Sequence, residues 1–160
     1  REVLYLDQAR LIADLHEQAR STDIGALVIV GDLVYNARSD RDWAHFDDLV
    51  GPFAERMPVL PAIGNHDYPC FLVQFCFQSS ISRGMLERFP WFRPGQGYTV
   101  ESGNLLFLFL DSETGLAAQG LWLQERLRGA AESFDAALVF FTGRHARQHI
   151  AASLAQIDRF

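Results

Sequence analysis

The sequence has 160 residues, of which 49% are hydrophobic and 21% are charged, a balance typical of one globular domain with a sizeable core. Its formal net charge of −6 excludes a broad nucleic-acid-binding surface, because such a surface needs clustered positive charge. All 14 basic residues are arginine, so a lysine Schiff base and a P-loop lysine are excluded as well.

The first part of the chain alternates helical and strand-like patterns. Residues 2–20 carry apolar side chains at helical spacing and predict an amphipathic helix. A continuous, β-branched run at 26–30 predicts a strand buried on both faces. After a loop, Asp40 is the predicted cap of a helix over about 41–56. The apolar run 57–63 contains two prolines and predicts a short strand or one near the sheet edge.

The second part begins with the least regular stretch of the sequence. Residues 68–96 hold many aromatic side chains, which form either a lid over a site or, as we prefer, packing of the core. Residues 97–101 and 105–110 flank a Ser-Gly-Asn turn and predict a hairpin. A helix, a buried strand and a final helix are then predicted over residues 117–133, 136–141 and 148–158.

This order of elements predicts an α/β fold in which a central mixed sheet is flanked by helices, and we expect one domain over residues 1–160. Three apolar strands end directly in polar residues. Open α/β sheets place their functional sites at the carboxyl ends of their strands, so these polar residues are the candidates for chemistry.

Two short polar segments at strand ends stand out. Asp32 follows Gly31 after the first strand, and Asn65 and His66 follow Gly64 after the second. A carboxylate, an amide oxygen and an imidazole together suit a hard or borderline divalent metal ion. Either segment alone is also compatible with a tight turn closed by an Asx hydrogen bond. The pairing of the two segments, with a helix between them, favours a metal site.

The same segments resemble a known family. Gly31-Asp32-Leu33-Val34-Tyr35-Asn36 and Gly64-Asn65-His66-Asp67-Tyr68 are similar to the second and third motifs of the calcineurin-like metallophosphoesterases, the superfamily that includes purple acid phosphatases. Leu108-Phe109-Leu110-Asp111-Ser112 resembles the family's strand ending in Leu-Asp-Ser. Gln119 with Trp122-Leu123 resembles its Gln-x-x-Trp-Leu helix. The similarity implies the family's sandwich fold.

The resemblance implies a role for each matching residue. Asp32 would bridge two metal ions, and Asn65 would bind the second ion through its side-chain oxygen. His66 would not bind metal; it would stabilise the substrate phosphate and protonate the leaving oxygen. Asp67 would hold and polarise His66.

The chemistry and ligands follow from the same resemblance. Two ions of manganese, iron or zinc, all of which accept oxygen and imidazole ligands, would activate water as a metal-bound hydroxide that attacks phosphorus in line. The partner would be a small-molecule phosphoester: a monoester, a diester or a nucleotide. No membrane partner is indicated, because no apolar run reaches the length of a membrane span.

The remaining family motifs are incomplete. We expect the first, Asp-x-His, to lie before Arg1 and the last, Gly-His-x-His, to lie after Phe160, so the domain would be truncated at both ends. This segment alone is then expected to bind metal poorly and to be weakly active or inactive. For the fourth motif the nearest candidate ligand is His145, with an exposed loop histidine as the alternative. His149 is a weaker candidate.

Other readings remain. An alternative interpretation is that the chain is a degenerate, non-catalytic relative of the family that serves as an interaction scaffold. A nucleotide-binding domain is disfavoured, because no glycine-rich phosphate loop is present. Cys70 and Cys76 predict two buried thiols rather than a disulfide. His16 and His45 are predicted at surface positions of helices.

Overall fold

The computed structural model describes residues 2–69, 81–111 and 113–143. The predicted helix over 148–158 and the candidate ligand His145 lie outside the described residues, as do His149, Cys70 and Cys76. Of the helices that are described, none combines the length and the apolar character needed to cross a membrane.

The first part of the chain places two parallel strands beside two helices. The elements are α1 (Glu2–Ser21), β1 (Leu27–Val30), α2 (Asp40–Ala54) and β2 (Val59–Ala62). Strands β1 and β2 pair in parallel, with Leu27 opposite Val59. Because α2 connects two parallel neighbours, the carboxyl ends of β1 and β2 lie at the same edge. A 3-10 turn (Asn65–Asp67) follows β2 at that edge.

The second part adds a three-stranded sheet. Its elements are α3 (Arg83–Arg88), β3 (Tyr98–Ser102), β4 (Leu105–Phe109), α4 (Leu116–Ala130) and β5 (Ala136–Phe140). The predicted hairpin is confirmed: β3 and β4 pair antiparallel, and β5 pairs with β4 in parallel. A parallel bridge between Ile63 and Asp111 joins the end of β2 to the end of β4. The mixed α/β fold predicted from the sequence is therefore confirmed.

The core lies between helices and sheets. Helix α2 buries one apolar face, whose members are Trp43, Phe46, Val50 and Phe53. A second cluster packs α4 onto β4 and consists of Leu106, Leu108, Leu110, Leu123, Leu127 and Ala130. The apolar face of α2 packs against β1 and β2, and α4 packs against β4. The strand ends at the Asp32 edge are therefore supported by buried apolar contacts.

Several local predictions were wrong. Strand β1 is not buried on both faces: Val30 is 52% exposed, and in the described part of the chain β1 pairs along one edge only. Leu138 in β5 is likewise 40% exposed. Asp40 does not cap α2; the hydroxyl of Ser39 accepts a hydrogen bond from Asp42 N at 3.1 Å instead. His16 is half-buried, with its ring stacked on Phe53.

Within its described residues, 68–69 and 81–96, the irregular stretch contains a helix that the sequence pattern did not reveal. Helix α3 is capped by Ser82, whose hydroxyl accepts a hydrogen bond from Met85 N at 3.2 Å. Arg88 at its end binds Asp47 on α2, with Nε 2.6 Å from Oδ1. At six residues, α3 is too short for helical periodicity to be visible, and contacts with α2 stabilise it.

Candidate functional site

The turn after β1 directs Asp32 to the edge of the sheet. Gly31 and Asp32 both adopt positive φ angles, 71° and 50°. Aspartate tolerates this left-handed conformation better than most residues, because its short side chain bonds locally. Gly31 is required here, since a Cβ would lie 2.1 Å from Cγ2 of Thr142. The amide of Gly31 donates to the carbonyl of Ala62 at 3.0 Å and thereby ties this turn to β2.

The turn after β2 lies directly against Asp32. The backbone N–H of His66 donates to Oδ1 of Asp32 at 3.2 Å. A Cβ added to Gly64 would lie 2.3 Å from the same oxygen and 2.5 Å from the Asp32 amide nitrogen. Only glycine leaves room for this approach. The structure therefore brings Asp32 together with the turn that carries Asn65 and His66.

His66 is oriented by the backbone of Tyr35, a residue for which the sequence pattern predicted no role. Its Nδ1 lies 2.6 Å from the carbonyl oxygen of Tyr35. Since a carbonyl only accepts, Nδ1 carries the proton and Nε2 is the nitrogen left to face a ligand. The Tyr35 ring, which is 83% exposed, stacks on the imidazole with centroids 5.2 Å apart. The sequence offers one indication of this role: Tyr35 lies three residues after Asp32 in the same motif.

The contacts of the Asp67 carboxylate differ from the predicted contact with His66, because its hydrogen-bond partners are backbone N–H groups. Its carboxylate is fully buried and accepts hydrogen bonds from Leu33 N at 2.7 Å, Val34 N at 3.4 Å and Gly64 N at 2.9 Å. The reason is geometric: on a 3-10 turn, neighbouring side chains point about 120° apart. Burial raises the pKa of Asp67 to about 7, although the three backbone N–H groups act in the opposite direction.

The described residues could supply part of a metal centre. The side chains of Asp32 and Asn65 are both exposed at the sheet edge, and both carry the oxygen donors that hard divalent ions prefer. Within residues 2–69, 81–111 and 113–143, no group of three His, Cys, Asp or Glu side chains could hold a metal ion. The donor chemistry of Asp32 and Asn65 thus fits a metal ion, with two candidate oxygen donors among the described residues.

A family model described as calcineurin-like phosphoesterase matches residues 5–146. The matched stretch includes both strand-end turns, the Asp111 segment and helix α4. A comparison with curated proteins finds no match.

Proposed function

Because the chain belongs to the calcineurin-like phosphoesterase family, which matches it over residues 5–146, we propose that it acts as a metal-dependent phosphoester hydrolase. One observation carries the assignment of the site. The carboxylate of Asp32 contacts the turn that bears Asn65 and His66, with 3.2 Å between its Oδ1 and the His66 amide nitrogen. Packing alone does not require two strand-end turns that carry exposed or half-exposed polar residues, Asp32, Asn65 and His66, to lie against each other.

Asp32 and Asn65 are the proposed ligands. Asp32 would offer its carboxylate, and Asn65 its side-chain amide oxygen, to the bound ions. His145 is proposed as a further ligand. Bound manganese, iron or zinc ions would supply positive charge for the phosphoryl oxygens and would activate the attacking water. The dinuclear arrangement and the identity of the metal are parts of this proposal.

His66 is the proposed acid. With Nδ1 bonded to the Tyr35 carbonyl, the protonated imidazole can donate only from Nε2. A proton placed there would pass to the leaving oxygen as the ester bond breaks, and the neutral ring would remain held by Tyr35. Asp67 takes no part in that transfer. Its role is to join the two turns beneath the site, through Leu33, Val34 and Gly64.

The test is hydrolysis of an aryl phosphate by the natural protein with Mn²⁺. His66→Gln is expected to lower kcat by about 10²- to 10⁴-fold, which is the usual contribution of a general acid. Asp32→Ala is expected to abolish turnover. His45→Gln, the same change at an exposed histidine of α2, is the matched control and should retain wild-type rates. Equal rates for His66→Gln and His45→Gln would refute the assignment.

A second candidate function is a non-catalytic scaffold. The observation that favours it is the small number of metal ligands: among the described residues, no three acidic, histidine or cysteine side chains cluster. The same assay separates the candidates. A natural protein that neither binds Mn²⁺ in calorimetry nor hydrolyses the aryl phosphate would support the scaffold, and turnover that depends on Asp32 would exclude it.

A further inference from the structure

A buried carboxylate lies behind the candidate site. Asp111 lies two residues after the end of β4 and is 1% exposed. Its backbone forms a parallel bridge with Ile63, the residue before Gly64. Asp111 therefore lies at the junction of the two sheets, next to the start of the turn that carries Asn65 and His66. The hydrolytic mechanism proposed above makes no use of it.

The Asp111 carboxylate joins three segments that are far apart in the sequence. Oδ2 accepts hydrogen bonds from the Tyr68 hydroxyl, from Gly95 N at 2.8 Å and from the Thr114 hydroxyl at 3.0 Å. Oδ1 accepts one from Glu113 N at 3.0 Å. A buried carboxylate is costly unless donors surround it, and these four donors meet that requirement.

Asp111 is itself held rigidly. The buried side-chain amide of Gln119 on α4 binds both backbone groups of Asp111: its Oε1 accepts from Asp111 N at 2.8 Å, and its Nε2 donates to Asp111 O at 2.7 Å. A carboxylate fixed at its backbone and at both oxygens is a suitable anchor for a neighbouring loop, because little conformational freedom remains to be lost.

The turn that carries Asn65 and His66 needs such an anchor. It is three residues long, and its internal backbone hydrogen bond, Asp67 N to Gly64 O, is 3.3 Å. Runs this short are weakly stabilised by themselves. Asp67 binds Gly64 N just before the turn, and Asp32 binds His66 N in its middle. Tyr68, 1% exposed, follows its last residue and fixes the end by donating its hydroxyl to Asp111.

We infer that Asp111 is a positioning residue, which acts through Tyr68 to hold Asn65 and His66 in the geometry that the reaction needs. The effect of Asp111 on catalysis rests on the proposed function. Its effect on the order of the turn does not, because the hydrogen bond from Tyr68 to Asp111 joins two side chains of the fold itself. This independence allows the two ideas to be tested separately.

The experiment compares Tyr68→Phe with Thr114→Val in the natural protein. Each variant removes one hydroxyl donor from the same oxygen of Asp111, but only Tyr68 adjoins the turn. Amide hydrogen exchange, followed by mass spectrometry of peptides covering residues 64–67, is expected to be about tenfold faster in Tyr68→Phe, as loss of one hydrogen bond to a charged group implies. In Thr114→Val it should stay within about threefold of wild type.

A purely structural role predicts a different pattern. Tyr68→Phe would then accelerate exchange equally in β4, β5 and the turn, or in none of them, and either result would overturn the inference. Phosphatase turnover is the second measurement: kcat of Tyr68→Phe should fall about tenfold at little-changed KM, while Thr114→Val keeps the wild-type kcat. Local acceleration in a protein without phosphatase activity would support positioning and refute only the proposed function.

Discussion

Asp67 Oδ1 accepts a hydrogen bond from the backbone N–H of Leu33 at 2.7 Å, and this contact joins the turn after β2 to the turn after β1. The second carboxylate oxygen of Asp67 binds Gly64 N within its own turn at 2.9 Å. One buried side chain therefore fixes both segments that carry the candidate site. This structural role of Asp67 can be tested without any substrate.

Replacing Asp67 with Asn should destabilise the fold. The amide keeps the shape, but its NH₂ group presents a second donor either to Gly64 N or to Leu33 N, where the carboxylate presented an acceptor. The expected loss is about 2–3 kcal/mol of unfolding free energy in urea titrations, from an unsatisfied buried donor and lost charged hydrogen bonds. Asp48→Asn, at an exposed position of α2, is the control and should stay within about 0.5 kcal/mol. Equal midpoints for both variants would contradict the role of Asp67.

Gly64→Ala should separate the two turns. The new Cβ would lie 2.3 Å from Asp32 Oδ1 and 2.5 Å from Asp32 N, so the backbone must shift. We expect a loss of about 1–3 kcal/mol from overpacking, together with loss of aryl phosphate hydrolysis. Gly51→Ala is the matched control: its Cβ meets nothing within 4 Å, and alanine is favoured in a helix by about 0.5–1 kcal/mol. A Gly64→Ala protein with wild-type stability and activity would show that the two turns do not need this close approach.

Local sequence patterns predicted most elements well, because these elements depend on neighbours in the chain. Helix α1 was predicted over 2–20 and lies at Glu2–Ser21, and the hairpin was predicted from its turn residues and confirmed. The predictions that failed concern features that depend on tertiary contacts. The exposure of Val30 reflects which strands pair with β1 in the described part of the chain, and α3 is stabilised by the contact of Arg88 with Asp47. No local pattern contains that information.

The candidate site, too, was predictable from the sequence only in part. The sequence indicated Asp32, Asn65 and His66, and the structure brings their two turns together, since strand ends meet at one edge of a parallel pair. The sequence did not indicate which group orients His66. Asp67 was the expected partner, and the Tyr35 carbonyl makes the contact instead. A backbone carbonyl has no signature in a sequence, so such a partner becomes visible only in three dimensions.

Metal binding should stabilise the natural protein through Asp32. A ligand that binds only the folded state raises the unfolding free energy by about 2.7 kcal/mol at a hundredfold excess over its Kd. Saturating Mn²⁺ is therefore expected to raise Tm, and EDTA to reverse the rise. Asp32→Asn should lose most of the shift, because a neutral amide is a weaker ligand than a carboxylate. Asp23→Asn, in the exposed loop before β1, should keep it. An undiminished shift in Asp32→Asn would exclude Asp32 as a ligand.

The stability of the fold at alkaline pH should depend on Tyr98. Its hydroxyl donates to Pro61 O at 2.8 Å, and burial raises its pKa above the ordinary value of 10.0. As pH rises above 10, the unfolded chain releases this proton while the native state retains it, so the unfolding free energy falls with increasing pH. One such group contributes a slope of up to about 1.4 kcal/mol per pH unit. Burial and the bond to Asp111 raise the pKa of Tyr68 in the same direction, so the wild type should be steeply sensitive to alkali.

Tyr98→Phe should remove one of these contributions. Urea titrations at pH 10.5, 11 and 11.5 are expected to give a slope that is smaller than in the wild type by up to about 1.4 kcal/mol per pH unit. At neutral pH the variant loses about 1 kcal/mol, because the Pro61 carbonyl loses its donor. Tyr35→Phe, at a ring that is 83% exposed, tests for changes common to any tyrosine substitution and should leave the slope as in the wild type, since that ring is hydrated before and after unfolding. If Tyr98→Phe and Tyr35→Phe show the same slope, Tyr98 does not hold its proton in the folded protein.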